Sequence, residues 1–281
     1  MKIIECPRDA MQGLHDFVPT DLKARYINQL LKVGFDTIDF GSFVSPKAIP
    51  QLKDTAEVLG QLELEETTSK LLAIVANTRG AAAAEPFQQI DYLGFPLSLS
   101  ETFQQKNTNR SIADAFVTLQ EIQDICKRSN KTLVTYLSMG FGNPYGDPYE
   151  SDYVIEFVEK LLAMEVEVIS LADTVGVSTP ESITSIFQIL FGNFKDVEFG
   201  AHLHSHPKDA MGKIKAAYEA GCRRFDGAVN GFGGCPMADD VLVGNIATET
   251  IVAFANEASP DFTINQPAFN EAMGVAGEVF G

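Results

Sequence analysis

Val197-Glu198-Phe199-Gly200-Ala201-His202-Leu203-His204 is the stretch on which the fold turns. Its aliphatic and aromatic residues read as a strand, and His206-Pro207 stops it. A helical apolar pattern follows over 208–220, and Gly221 stands where a helix C-terminus wants a left-handed residue. One strand followed by one helix is the unit, and it recurs. Candidate strands lie at 2–6, 37–41, 70–77, 90–98, 132–139, 167–173, 197–204 and 224–229. Helical patterns fill most intervals, at 20–33, 79–85, 111–129, 151–164, 180–192, 208–220 and 245–257. Thr20-Asp21, Ser111 before Asp114, and Ser178-Thr179-Pro180-Glu181 mark helix starts, and Gly34 marks an end. Eight strands each followed by a helix is the count of a (β/α)8 TIM barrel, of about 250 residues. We expect one α/β barrel domain over 1–281, with 258–281 a tail that caps it or forms an interface. An open doubly wound sheet is the alternative, but no GxGxxG follows the first strand.

A chain of 281 residues with 45% hydrophobic content can bury a sizeable core. Its net charge of -17 repels nucleic acid and anionic membranes, so neither is expected as a partner. An anionic substrate would need a local basic or metal-bearing pocket. No apolar run reaches the roughly 18 residues of a membrane span. The N-terminus enters a strand without a leader, and Val279-Phe280-Gly281 is no retention or lipidation signal. Cys6, Cys126, Cys222 and Cys235 are scattered with no CxxC pair, which suits a reducing cytoplasm.

Barrel active sites gather at the C-terminal ends of the strands. Residues two apart on a strand share a face, so His202 and His204 project together there. They are half of a metal site or a hydrogen-bonded pair. Arg8-Asp9 follows the first strand, where the carboxylate can reach the histidines or form an ion pair with its neighbour. Asp39 lies in the apolar run Ile38-Asp39-Phe40, and a buried acid needs a partner. Arg8 would supply one across the interior. Asp173 ends the sixth strand, as a base, a ligand-orienting group or a turn residue. Asn245 is an N-cap or a carbonyl donor to a metal. Asp9, His202, His204 and Asn245 together offer nitrogen and oxygen but no thiolate, a set for Mg²⁺ or Mn²⁺ with open positions. Cys235, on the Gly231-Phe232-Gly233-Gly234-Cys235-Pro236 loop, is a proton donor, a nucleophile or an inert thiol. His15 reads as a solvated loop residue, and His206 has no evident partner.

Several blocks resemble the 3-hydroxy-3-methylglutaryl-CoA lyases, barrel metallolyases of the superfamily named for an Asp-Arg-Glu signature. They are Pro7-Arg8-Asp9, Ser42-Phe43-Val44-Ser45-Pro46-Lys47, the run from Ile169 to Val177, His202-x-His204, Gly233-Gly234-Cys235-Pro236, and Gly244-Asn245-x-Ala247-Thr248-Glu249. Lys106-Asn107 with Asn109-x-Ser111-Ile112 is a weaker echo, and the likeness runs from about residue 2 to 255. The cysteine loop separates these lyases from the related acyl-transfer synthases. The resemblance implies a retro-Claisen cleavage to acetyl-CoA and acetoacetate. It implies metal ligation by Asp9, His202, His204 and Asn245, and catalytic parts for Arg8, Asp9, Asp39, His202 and Cys235. It places Gln12, Ser42 and Asp173 against an acyl-CoA substrate and makes a homodimer the expected assembly.

This sequence departs from the family pattern at several positions. Ala10 replaces a glycine, Asp39 replaces a longer glutamate, and Ser205 replaces an acid. Met237-Ala238-Asp239-Asp240-Val241-Leu242-Val243 replaces a shorter Gly/Ser-rich stretch. That change keeps a related aldolase or acyl-CoA condensing enzyme as the alternative, acting on another hydroxy or keto acid. A barrel that keeps the metal site and only binds metabolites is a third reading.

Overall fold

The computed structural model describes residues 1–233 and 243–281. The strands are β1 (Lys2–Glu5), β2 (Thr37–Ser42), β3 (Lys70–Ile74), β4 (Tyr92–Ser98), β5 (Thr132–Ser138), β6 (Val168–Asp173), β7 (Glu198–Leu203) and β8 (Arg224–Gly227). All pair in parallel, and β1 meets β8 to close the barrel. Helices cover the outside. They are α1 (Pro7–Gln12), α2 (Thr20–Leu31), α3 (Thr55–Leu59), α4 (Thr78–Ala84), α5 (Glu101–Thr108), α6 (Ile112–Arg128), α7 (Ser151–Ala163), α8 (Pro180–Asn193), α9 (Pro207–Glu219), α10 (Thr248–Ala258) and α11 (Gln266–Phe280). The TIM barrel read from the strand–helix alternation is the architecture observed.

The alternation of side chains along the strands makes two cores. Outward residues such as Ile3, Phe95, Ile169, Phe199 and Phe225 pack under the helices in one large cluster. Inward residues form a smaller one from Leu72, Tyr92, Val134, Tyr136 and Val168. Helix starts follow the capping logic. Ser111 accepts from the Asp114 amide, and Thr179 and Ser182 cap each other reciprocally. Gly221, just past α9, takes φ +115°.

Some boundaries differ from the sequence expectation. β3 stops at Ile74 rather than 77, and β4 starts at Tyr92 rather than 90. Helix α10 begins at Thr248 with Ala247 as its cap, so Asn245 is not an N-cap. Tertiary pairing is the cause: bridges from His204 to Asn245 and from Ala228 to Ala247 hold this segment extended across the mouth. The Arg8-Asp9 segment, expected as a connection, is the short helix α1, with Pro7 in its first turn. In the tail, α11 packs on α2, with Tyr26 against Phe280 and Phe35 against Phe269 edge to face. Phe280 also stacks on Phe232 at 4.5 Å.

Candidate active site

The site is assembled at the C-terminal mouth from β1, β2, β7 and the two bridged segments. Helix α1 turns directly out of β1 and delivers Arg8 and Asp9, both buried. Arg8 Nε and Nη2 lie 2.9 and 2.5 Å from Asp39 Oδ2, and Nη1 lies 2.9 Å from Asp9 Oδ1 and 3.0 Å from Gln12 Oε1. Gln12 Nε2 donates back to Asp9 Oδ1 at 2.7 Å. A guanidinium has five N–H groups. These contacts engage four of them and leave one on Nη2 for a substrate oxygen. Asp39 spans the gap to Arg8 although it is a methylene shorter than a glutamate. A register shift beside it, between Asp39 and Gly41, is the kind of irregularity that re-aims a strand next to a site.

Electrostatics divide the two acids. Burial lifts the Asp39 carboxyl to about 6 against the pull of Arg8, so it stays ionised at neutral pH. Burial also works against the charge of Asp9. The charges of Arg8, His202 and His204 and the hydrogen bond from Asn245 outweigh it, and hold Asp9 below the usual carboxylate range.

His202 and His204 stand with ring centroids 5.3 Å apart. The His202 ring meets the edge of Tyr136, and its Nδ1 is 3.1 Å from Asp226 Oδ2 on β8. Burial opposes charge on His202, but the hydrogen bond and charge of Asp226, together with Asp9, raise it above its ordinary 6.5. His204 lies just past the end of β7. Burial, then the neighbouring His202, push it down to about 4. Its Nδ1 is 3.1 Å from the carbonyl of Thr174, which can only accept, so Nδ1 carries the proton. The lone pair is then on Nε2, which is buried and has no hydrogen-bond partner among the described residues.

Asn245 donates Nδ2 to Asp9 Oδ2 at 2.7 Å and to the Phe232 carbonyl at 2.9 Å, leaving its amide oxygen to offer. Gly233 makes this approach possible. A Cβ there would stand 2.7 Å from Asn245 Nδ2, and its φ is +95°. Ligand atoms of Asp9, His202 and His204 lie within 4.8 Å of one another. With the orphaned Nε2 of His204, this nitrogen and oxygen set fits a divalent cation. A second cluster of Cys6, His202 and Asp226 lies deeper; there Asp226 accepts from His202, and burial pushes the Cys6 thiol up.

The structure places the remaining residues as follows. Ser42 ends β2 and its Oγ accepts from the Val44 amide. Asp173 is buried and accepts from Ser178 and from Lys213 Nζ at 2.9 Å. Lys213 in turn donates to the His204 carbonyl. Asp173 therefore braces the loop whose Thr174 orients His204. Cys235 and the 237–242 part of the altered stretch lie outside the described residues. His15 is exposed, and exposed His206 precedes α9 without capping it. Asp226 and Lys213 are functional-site neighbours that sequence reasoning missed. For Asp226 the sequence offered only a partial signal, an acid inside a predicted strand, without the register that sets it beside His202.

The HMGL-like family model matches residues 2–273. The chain belongs to that family. Among HMGL-like relatives, the hydroxymethylglutaryl-CoA lyase YngG of Bacillus subtilis is 33% identical over 88% of this chain and 81% of its own length. The cytoplasmic 3-hydroxy-3-methylglutaryl-CoA lyase of Rattus norvegicus is 33% identical over 91% of this chain and 74% of its own. An HMG-CoA lyase from Acinetobacter baumannii, solved with coenzyme A and 3-methylmalate, superposes with a TM-score of 0.90 at 31% identity. It covers 99% of this chain and 90% of that one. The HMGL-like resemblance seen in the sequence motifs thus extends through the whole barrel.

Proposed function

We propose that this chain is a divalent-metal-dependent carbon–carbon lyase that cleaves 3-hydroxy-3-methylglutaryl-CoA to acetyl-CoA and acetoacetate. One observation carries the reading. The unbonded Nε2 of His204 sits with Asp9 and His202 in a metal-sized cluster, and Arg8 stands beside it with one N–H unspent. The lyase names of the relatives and the coenzyme A in the Acinetobacter structure support the substrate class.

Asp9, His202, His204 and Asn245 would hold the cation, with Mg²⁺ or Mn²⁺ fitting the donor set. Bound there, the cation would supply Lewis acidity toward the substrate hydroxyl and carboxylate. The chain's own groups do the rest. A base at the mouth, for which Asp9 is the candidate, takes the proton of the tertiary hydroxyl. The C–C bond breaks and its electron pair passes to the departing acetyl-CoA enolate. The remaining Nη2–H of Arg8 donates to the enolate oxygen where negative charge grows. Asp39 and Gln12 keep that guanidinium in place. Protonation at carbon completes acetyl-CoA, with Cys235 or His202 as donor. Gln12 and Ser42 are the substrate-side residues of this reading. Asp173, expected among them, is buried with its oxygens on Ser178 and Lys213 and serves as a brace for the His204 loop.

A homodimer in a reducing cytoplasm completes the proposal. Cys6, Cys126 and Cys222 are free and buried, and no helix of the described residues is long and apolar enough to cross a membrane. The deciding experiment incubates chelator-stripped protein with hydroxymethylglutaryl-CoA, with and without Mg²⁺ or Mn²⁺, and measures acetoacetate. Metal-dependent product supports the lyase. Metal binding without product refutes this substrate and moves the search to short hydroxy and keto acids.

A further inference from the structure

Below the paired histidines, beside the inward apolar cluster, one part of the barrel interior is polar, where such barrels are ordinarily filled with branched aliphatic side chains. Arg224 enters it from β8, two residues before Asp226 and on the same face. It is 1% exposed. Gly200 of β7 makes room for it: a Cβ there would stand 3.1 Å from Arg224 Cδ and 2.9 Å from Ser170 Oγ. Among the described residues, no acceptor lies within hydrogen-bond reach of Arg224 Nε, Nη1 or Nη2. Glu198 Oε1 is 3.6 Å from Nη1, an ion pair too long for a direct bond. Tyr136 Oη, Ser170 Oγ, Glu198 Oε1 and Asp226 Oδ1 are likewise buried and unbonded.

A buried guanidinium with no hydrogen bonds is far too costly to persist. Water resolves it. A buried water makes about three hydrogen bonds, and this cluster offers both donors and acceptors. A polar gap just beyond contact distance is what a bridging water spans. An anion is the poorer occupant, because the carboxylates of Asp226 and Glu198 already act on the cation. The upper edge of this cluster is the site itself, since Asp226 gives its other oxygen to His202 Nδ1.

We propose that ordered waters join Arg224 to the free oxygen of Asp226, and that this hydrated pair positions His202 with Nδ1 protonated and Nε2 open toward Asp9 and His204. Asp226 and Arg224 are positioning residues, acting through the ring they hold. The two histidines are then set by different means, His204 by a backbone carbonyl and His202 by a carboxylate backed by solvent. Only the consequence for metal affinity rests on the metal reading; the tautomer does not.

The test is imidazole ¹⁵N NMR on metal-free protein at alkaline pH, where the ring is neutral. The chain has only four histidines, so point variants can assign them. Wild type should show His202 protonated at Nδ1. Asp226→Asn should shift it toward the Nε2–H form, Arg224→Met should do so in part, and Arg224→Lys should restore it. Tyr136→Phe and Ser170→Ala, which remove one hydroxyl and no charge, should give smaller changes of the same sign, and carry the test should Arg224→Met fail to fold. Mn²⁺ affinity should fall about 10- to 100-fold in Asp226→Asn. A tautomer unmoved by Asp226→Asn overturns the positioning. Mn²⁺ bound by wild type in that case would leave the metal reading intact. The expected tautomers in a protein that binds no Mn²⁺ would sink the metal reading alone. A high-resolution crystal structure should show waters bridging Arg224 and Asp226; a dry contact between them overturns the bridge.

Discussion

Arg8 grips Asp39 with Nε and Nη2 while turning Nη1 to Asp9, so one guanidinium joins an anchoring acid to a ligand acid. Both carboxylates are buried, and removing Arg8 strands them. Arg8→Met should therefore destabilise the protein by about 3–5 kcal/mol in denaturant unfolding. It should also lower kcat by about 10²- to 10³-fold, the usual cost of one oxyanion donor. Adding Asp39→Leu should restore most of the stability and none of the rate. Recovery of the rate would show that Arg8 is purely structural.

Metal binding should be visible as stability. A ligand bound only by the folded state at 100 times its Kd adds about 2.7 kcal/mol. Mn²⁺ should thus raise the Tm of chelator-stripped wild type. Asp9→Asn and His204→Gln should abolish that rise while keeping a folded barrel by circular dichroism. An equal rise in His204→Gln would put the cation elsewhere.

Gly233→Ala tests the backbone approach to Asn245. The new Cβ meets Asn245 Nδ2 and the backbone of Ala10 and Asp9 at a positive φ. Mn²⁺ affinity should fall at least about tenfold, as when a ligand's support is disturbed. Titration calorimetry reads it, and unchanged affinity would mean the loop yields freely.

Cys235→Ser separates chemistry from binding. If the thiol returns the proton to carbon, kcat should fall by about 10²-fold or more while Mn²⁺ affinity is unchanged. Full turnover makes the thiol inert.

Glu5 gives a pH signature away from the metal. It is fully buried, with its oxygens on the Val229 amide and the Thr248 hydroxyl. Burial raises its pKa from the ordinary 4.5 to about 8, only partly offset by those hydrogen bonds. The folded state therefore keeps a proton that the unfolded chain releases. Stability from this group is full below about 4.5 and is lost as pH rises through about 8. Glu5→Gln should flatten the fall in Tm between about pH 4.5 and pH 8; an unchanged slope would assign that fall to other groups.

What the sequence made legible was local or locally constrained. The two-residue period of β7 put His202 and His204 on one face, and strand–helix alternation led to the barrel. A buried acid at Asp39 demanded a cation, and Arg8 was the one at the right height. Asp226 was missed because its place beside His202 depends on the register that pairs Ala172, His202 and Asp226 across three strands. Helix α1 was missed because six residues carry no period. Asn245 read as either a cap or a metal ligand because local pattern cannot foresee a bridge to His204.

The stack of Phe232 on Phe280 links the far end of the chain to the chemistry. Phe232 lends its carbonyl to Asn245 and its ring to the last residue of α11. An affinity tag or fusion partner joined after Gly281 would pull on a helix that is one aromatic ring away from a candidate metal ligand. Kinetic comparisons among differently tagged preparations should therefore begin with the tag at the other end.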